Sequence, residues 1–266
     1  MIIGNLEIHV AHACNLSCES CSHYSNHGHK GFTALDDAEE WMSFWSHRIE
    51  PKQFSLLGGE PTLHPQLPEF IELTRKYWPH SHLRIVTNGF FLHRHRRLPE
   101  VLRDDPDIGL YVSMHHQSPL YIEKFRPIKA LINLWIRKYD INVMEYQSFQ
   151  SWTRRYHGYG SAMEPFEDKQ PRQSWENCVA RNCPQLYEGK IWKCGPLAYP
   201  KLQNEKFNLS NKWQSYLKYK PLEPSCDDQE LDEFFNREEE SACNMCSAKP
   251  EKLELPMPIR GLTTLE

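Results

Sequence analysis

Strand-like and helix-like segments alternate at short range through the first half of this 266-residue chain, and this alternation narrows the possible folds. Strand patterns begin near Leu6, Phe54, Leu83, Gly109 and Ile141, and amphipathic helix patterns cover residues 36–50, 67–74 and 121–139. Strands that alternate with helices in this way form parallel βαβ units. The first half is therefore predicted to be part of a barrel or an open twisted sheet, with ligands bound at the carboxyl ends of its strands.

Three cysteines, Cys14, Cys18 and Cys21, follow the first strand pattern with the spacing C-x3-C-x2-C. Nine cysteines without an export signal favour metal or redox chemistry over disulfides. A tetrahedral site needs four ligands, so either a distant residue completes the set or one metal corner is left open. Three thiolates hold three irons of a four-iron cluster and leave the fourth iron open. The alternative is a zinc site, which would more naturally use paired C-x2-C motifs.

Charge and hydropathy exclude two classes of partner. The formal net charge is -4 and no long basic run is present, so no nucleic-acid partner is expected. No apolar run reaches the roughly 20 residues that span a bilayer, and the N-terminus lacks the features of a signal peptide. The sequence therefore predicts a cytoplasmic protein without a membrane partner.

A second motif, "GGEPTLHP" at residues 58–65, follows the second strand pattern. Together with the C-x3-C-x2-C loop it resembles the radical S-adenosylmethionine (radical SAM) superfamily. The resemblance implies a [4Fe-4S] cluster bound by Cys14, Cys18 and Cys21, with S-adenosylmethionine (SAM) on the open iron. It also implies SAM contacts from residues near the strand ends, namely Gly58, Gly59, Glu60, Pro61, Asn88 and Ser113. The family usually has an aromatic residue where Ser20 stands, so Tyr24 or His23 is expected to contact the adenine instead.

The remaining cysteines suggest a second cluster. Residues 187–190 are typical of a tight hairpin turn, and a helix is predicted over residues 227–240. This region resembles the twitch half of the SPASM extension of some radical SAM enzymes, which implies one auxiliary [4Fe-4S] cluster. Cys178, Cys194, Cys243 and Cys246 are its expected ligands, with Cys183 possible instead of Cys178. A zinc ribbon made of the same thiols is the alternative.

The resemblance thus implies an α/β fold made of a partial (β/α)6 barrel and a small C-terminal hairpin-plus-helix iron–sulfur domain. Residues 1–150 are assigned to the barrel, 151–177 to a bridging segment and 178–266 to the auxiliary domain. Six thiols outside the first loop suit one auxiliary cluster with two to spare. Cys226 lies outside every ligand pattern and is a candidate hydrogen-atom donor, as is Cys183 if it is not a ligand.

Relatives of this size and layout oxidise 2-deoxy-scyllo-inosamine or epimerise aminoglycosides. The chain is accordingly expected to abstract a hydrogen atom from a small, polar, sugar-like substrate, leading to dehydrogenation or epimerisation. A flavodoxin or ferredoxin would supply the electron. Arg154 is a candidate substrate contact or base, because it follows the fifth strand. Modification of a ribosomal peptide and a non-enzymatic zinc-binding module are the alternatives.

Overall fold

Seven strands form one sheet in the order β5-β4-β3-β2-β1-β6-β7. This computed structural model describes residues 1–259. The strands are β1 (Ile2–Ala11), β2 (Glu50–Gly58), β3 (His82–Thr87), β4 (Ile108–Met114), β5 (Asn142–Gln147), β6 (Gln185–Tyr187) and β7 (Lys190–Trp192). All neighbouring pairs are parallel except β6 and β7. The α/β fold with a parallel sheet, predicted from the alternating pattern, is confirmed.

Within residues 1–259, four helices connect the first five strands, and five more helices follow them. They are α1 (Leu35–Trp45), α2 (Leu67–Tyr77), α3 (Leu98–Arg103), α4 (Pro119–Tyr139), α5 (Pro171–Glu176), α6 (Gly195–Ala198), α7 (Pro200–Phe207), α8 (Gln214–Leu217) and α9 (Asp228–Asn236). The Ser118 hydroxyl accepts a hydrogen bond from the Tyr121 N–H, and Pro119 follows this cap as the first helical residue of α4. No helix in residues 1–259 is long and apolar enough to cross a membrane.

One face of the sheet packs against these helices, and the other face forms the inside of the partial barrel. Leu6, Ile8 and Val10 of β1 point to the helix side and are fully buried, because alternate residues of a strand face opposite sides. Glu7 and His9 consequently face inward. The inward residues of β3 are partly exposed, so the barrel is open on that side.

Two predicted helices end earlier than expected. Helix α1 stops at Trp45 rather than near residue 50, because Ile49 is buried in the turn and β2 begins at Glu50. Helix α9 covers Asp228–Asn236 instead of residues 227–240: a capping box of Asp227 and Glu230 sets its start, and the backbone turns extended at Arg237, with φ -68° and ψ 123°. After α9, a 3₁₀ turn at Ser241–Met245 carries Cys243, and Cys246 follows it directly.

The hairpin predicted at residues 187–190 is confirmed. Glu188 and Gly189 both have positive φ angles, 52° and 73°, as a two-residue turn between antiparallel strands requires. The hairpin is not separate from the barrel, however: β6 pairs in parallel with β1 at Glu7 and Ile8. The sixth parallel strand thus comes from the region predicted to be an auxiliary domain. The last residues of that predicted domain, 260–266, lie outside the described residues.

Candidate active site

The first three cysteines lie together at the carboxyl end of the sheet. Cys14, Cys18 and Cys21 line one cleft of about 190 Å³. The loop after β1, the turn after β2 and the ends of β3 and β4 form the rest of its wall. The predicted cofactor contacts that also line this cleft are Gly58, Gly59, Glu60, Asn88 and Ser113. Pro61 is buried beside the cleft without lining it.

Paired glycines are required after β2 because the turn touches the backbone of the cysteine loop. The Gly59 N–H donates to the Ala11 carbonyl at 2.7 Å, and the Glu60 N–H donates to the Ala13 carbonyl at 2.8 Å. A Cβ atom on Gly59 would lie 2.1 Å from the Ala13 oxygen, and one on Gly58 would lie 2.4 Å from the Ala11 oxygen. The glycines therefore fix the turn against the cysteine loop.

Glu60 joins this turn to the end of β3. Its buried carboxylate accepts hydrogen bonds from the backbone and hydroxyl of Thr62, from the Thr87 hydroxyl, and from the Asn88 N–H at 2.7 Å. Burial raises the pKa of this carboxyl, and the four hydrogen bonds act in the opposite direction. Thr62 was missed in the sequence, although it stands within the motif that contains Gly58, Gly59 and Glu60. Glu60 therefore lines the cleft and also holds the turn after β2 against the end of β3.

The three thiols suit an iron–sulfur cluster. Burial raises the pKa of Cys14, Cys18 and Cys21, so their thiolates need a cation to be stable in this cleft. Iron supplies that charge, and the donor set contains three thiols within one loop. No three His, Cys, Asp or Glu side chains within residues 1–259 are arranged to hold a single metal ion.

His115 is a second residue that sequence reasoning missed. Its Nδ1 atom lies 3.3 Å from the Cys18 Sγ atom, and its Nε2 atom lies 2.9 Å from the Ser113 Oγ atom. The ring packs edge-on against Trp152, and burial lowers the His115 pKa to about 4. It comes directly after β4, as Ser113 does near its end, and that position was the available signal.

Tyr24 is not where the resemblance placed it. It is 1% exposed and packs in a second core with Tyr156 and Trp213, where its hydroxyl donates to the Pro196 carbonyl at 3.0 Å. It does not line the cleft, so the structure does not bring it to the expected adenine contact. His23, the alternative, does line the cleft.

Ser20, which stands where an aromatic residue was expected, has a structural task. It adopts a φ of 60°, and its hydroxyl accepts hydrogen bonds from the N–H groups of Arg155 at 2.6 Å and Tyr156 at 3.3 Å. A bulky side chain at this buried position would break these bonds. Ser20 therefore attaches the cysteine loop to the segment predicted to bridge the two halves.

The two candidate catalytic residues lie outside the cleft. Cys226 lines a different cleft, where the Arg48 Nη1 atom donates to its carbonyl at 2.7 Å and lies 3.1 Å from its Sγ atom. Arg154 pairs with Glu19 at 2.9 Å and lines a small cleft that also contains Cys178 and Cys246. A donor or base must face the substrate, and the structure brings neither side chain to the cleft of the first three cysteines.

Four further cysteines share one apolar cavity. Cys178, Cys194, Cys243 and Cys246 all line a space of about 40 Å³, and Cys183 does not. Cys183 instead interacts with the carboxylate of Glu7 on the inner face of the sheet. The thiol at position 178 is therefore better placed than the one at 183 to complete this set. The Cys194, Cys243 and Cys246 pKa values are all raised by burial, that of Cys246 to about 12.

The inner face of the sheet carries a fixed arginine. The Arg84 Nε–H donates to the Ser55 hydroxyl at 3.2 Å, and the guanidinium lies over the Tyr111 ring at 5.1 Å. The Tyr111 hydroxyl is held by His82 Nε2 at 3.0 Å. A Cβ on Gly109 would come within 2.7 Å of the Tyr111 ring, so this glycine makes room for the stack. Arg84 precedes Val86, a cleft residue on the same face, by two positions.

Comparison with known protein families and curated proteins gives similarity over the barrel. Residues 8–139 match the Radical SAM superfamily. The 7,8-dihydro-6-hydroxymethylpterin dimethyltransferase of Methanocaldococcus jannaschii is 32% identical over 93 residues, which cover 34% of this chain and 18% of that protein. A probable GTP 3',8-cyclase of Sulfolobus acidocaldarius is 26% identical over 133 residues, covering 48% of this chain and 40% of that protein. The chain thus spans less than half the length of either relative.

Similar solved structures include two enzymes crystallised with ligands. BtrN in complex with AdoMet and 2-DOIA is 20% identical, with a TM-score of 0.49, and the match covers 82% of this chain and 87% of that one. SuiB of Streptococcus suis bound to S-adenosylmethionine is 12% identical, with a TM-score of 0.45, covering 88% of this chain and 66% of that one.

Proposed function

We propose, from the premise that this chain belongs to the radical SAM superfamily, that it cleaves SAM reductively and abstracts a hydrogen atom from a small, polar, sugar-like substrate. The observation that carries the proposal is the shared cleft of Cys14, Cys18 and Cys21 with the Gly58–Gly59–Glu60 turn. Membership in a family of enzymes also sets aside the non-enzymatic zinc-binding module.

Cys14, Cys18 and Cys21 would hold a four-iron cluster that, when bound, supplies the electron for splitting the sulfonium of SAM. The chain's own residues position the reactants. Gly58 and Gly59 fix the turn that faces the cluster loop, and Glu60 ties this turn to the ends of β3.

Cys178, Cys194, Cys243 and Cys246 would hold a second, fully ligated cluster, which supplies or accepts single electrons. Their common cavity supports this assignment over a set containing Cys183. A site that removes an electron favours net dehydrogenation over epimerisation, which needs a hydrogen-atom donor at the substrate. Neither Cys183 nor Cys226 lines the cleft of the first three cysteines.

The polar inner face of the sheet supports a hydroxylated substrate. The Arg84 Nε–H donates to Ser55 and the guanidinium stacks on the Tyr111 ring. Its terminal nitrogens hydrogen-bond to no other described residue. Such a fixed guanidinium binds vicinal hydroxyl or carboxylate oxygens.

Modification of a ribosomal peptide is the second candidate, and one observation favours it. Strand β5 is an open edge of the sheet, and its inward residues Met144 and Tyr146 are 54% and 38% exposed. An extended peptide adds to such an edge by backbone hydrogen bonds.

Anaerobic reconstitution with iron and sulfide tests the proposal. About eight irons per chain are expected from two four-iron clusters, together with 5'-deoxyadenosine on addition of SAM and dithionite. Zinc alone, or no SAM cleavage, would contradict it. Carbon-deuterated cyclic polyols and peptides then separate the two candidates by deuterium transfer into 5'-deoxyadenosine. Arg84→Gln should slow transfer from a polyol, whereas Arg94→Gln, which alters an arginine stacked on Phe91 outside the barrel, should not.

A further inference from the structure

His115 connects the first cysteine set to the end of β4. Its two ring nitrogens have different partners, the Cys18 Sγ atom at 3.3 Å and the Ser113 Oγ atom at 2.9 Å. It is the only side chain within residues 1–259 that hydrogen-bonds to the Cys18 sulfur. Cys14, in comparison, is near the Leu16 N–H at 3.4 Å and the Asn88 amide at 4.0 Å.

Ser113 decides which nitrogen of His115 carries the proton. Its hydroxyl donates to the Thr87 carbonyl at 3.2 Å, so its oxygen accepts from the His115 Nε2–H. The neutral ring then has a lone pair on Nδ1, which accepts the proton of the Cys18 thiol. In the absence of iron, each of the three hydrogen bonds that link Cys18, His115, Ser113 and Thr87 is donated in the direction from Cys18 towards Thr87.

A Cys18 thiolate that binds iron has no proton to donate. In the loaded protein, these hydrogen bonds would therefore be donated in the opposite direction, towards Cys18. The thiol proton passes to Nδ1, and the Nε2 proton leaves, so one proton is released for the thiol that binds. Nε2 then accepts from the Ser113 hydroxyl, which leaves the Thr87 carbonyl. The ring stays neutral before and after the exchange.

We propose that His115, in the cluster-loaded protein, donates its Nδ1–H to the Cys18 sulfur and thereby raises the reduction potential of the cluster. This inference rests on the proposed function of the first three cysteines. His115 is a positioning residue, since it acts through Cys18. A hydrogen bond to a cluster sulfur withdraws charge and stabilises the reduced form more than the oxidised form. Its neighbours Ser113 and Trp152 hold the ring in the orientation that this bond requires.

Redox titration followed by electron paramagnetic resonance (EPR) tests the proposal in the full-length, reconstituted protein. The first cluster is recognised as the signal that disappears in Cys14→Ala. For His115→Phe we expect the ratio of reduced to oxidised cluster at a fixed potential to fall about tenfold, which corresponds to about 59 mV for a one-electron couple. His115→Asn places an amide donor near the position of Nδ1 and should recover most of this loss.

The neighbouring His116→Phe is the matched control, because the His116 Nδ1 atom accepts from the Ser118 N–H and does not contact the cysteines. An unchanged potential in His115→Phe, or an equal loss in His116→Phe, would overturn the proposal. Loaded protein that cleaves SAM but shows no such shift refutes only the role of His115. Protein that takes up no iron refutes the proposed function.

A measurement on the unaltered chain covers the case in which His115→Phe does not fold. Labelling histidine with nitrogen-15 should give a hyperfine coupling to one imidazole nitrogen in pulsed EPR of the reduced first cluster. The coupling should vanish in His115→Asn. Absence of any histidine coupling in the unaltered protein would exclude a bond between Nδ1 and the cluster sulfur.

Discussion

Cys14, Cys18 and Cys21 come from one loop, whereas Cys178, Cys194, Cys243 and Cys246 come from three segments that are far apart in the sequence. The first set is fixed by polar contacts: the turn at Gly59, the buried Glu60 carboxylate and His115. The second set surrounds an apolar cavity, and its walls include Leu197 and Met245 of the second core. One site depends on local geometry, the other on the packing of the C-terminal half.

The largest effect is expected from removing one ligand of either set. Cys18→Ala should abolish 5'-deoxyadenosine formation and lower the iron content by about four atoms, because the open iron is lost with its cluster. Cys194→Ala should lower iron equally and still allow SAM cleavage without substrate. Iron analysis and product chromatography measure both. Loss of SAM cleavage in both variants would mean that the two sites are not independent.

Cys178 and Cys183 sharpen the comparison within the second set. Cys178→Ala should lose about four irons, because this thiol lines the common cavity, whereas Cys183→Ala should keep them. Iron content with the EPR signal of the second cluster is the measurement. The opposite pattern would place Cys183 in the ligand set.

The turn after β2 is the next point at which the first site can be broken. Gly59→Ala places a Cβ 2.1 Å from the Ala13 oxygen and should lower the free energy of unfolding by about 2–4 kcal/mol. Gly4→Ala is the control, since its Cβ would have nothing within 4 Å. Urea unfolding of the metal-free protein compares the two variants. Equal unfolding midpoints would show that the turn accommodates the added Cβ atom without loss of stability.

Acid should weaken the contact between the cysteine loop and the C-terminal half. His27 accepts from the Gly160 N–H at 3.3 Å and meets the Tyr156 hydroxyl at 3.1 Å, and burial lowers its pKa to about 4. The unfolded chain binds a proton that the folded chain does not, so stability falls as the pH drops from about 6.5 to about 4. The His27 share is about 3 kcal/mol at most.

Burial also lowers the pKa values of His9, His12 and His115, so the unaltered protein alone does not isolate the effect of His27. The test therefore compares the pH dependence of stability between variants. His27→Gln should flatten the dependence of the urea midpoint on pH, and His47→Gln, at an exposed position, should leave it unchanged. Parallel curves for all three proteins would contradict the assignment.

The sequence predicted what local patterns determine. Alternating strands and helices predicted the parallel sheet, and the cysteine spacing with the paired glycines located the cleft. It could not predict contacts made across the fold. Tyr24 follows the loop closely in sequence but has a positive φ of 57° and turns into the second core. His115 reaches Cys18 across 97 positions, and no spacing rule connects them.

The choice between Cys178 and Cys183 was open for the same reason. Both precede β6, and spacing favours Cys178 without excluding Cys183. Their surroundings in the fold separate them, because Cys178 lines the cavity of the other three thiols whereas Cys183 interacts with Glu7 of β1. Likewise, Cys226 stood apart from every ligand pattern, yet only the fold reveals its partner, Arg48.

The short pairing of β6 with β1 has a consequence for transplanting parts between related enzymes. Glu7 and Ile8 of β1 pair with β6, a strand from the C-terminal half of the chain. A chimera that keeps this barrel and exchanges the C-terminal half must bring a hairpin of matching register. Without such a hairpin, the edge of β1 would have unpaired backbone N–H and C=O groups, which favour self-association.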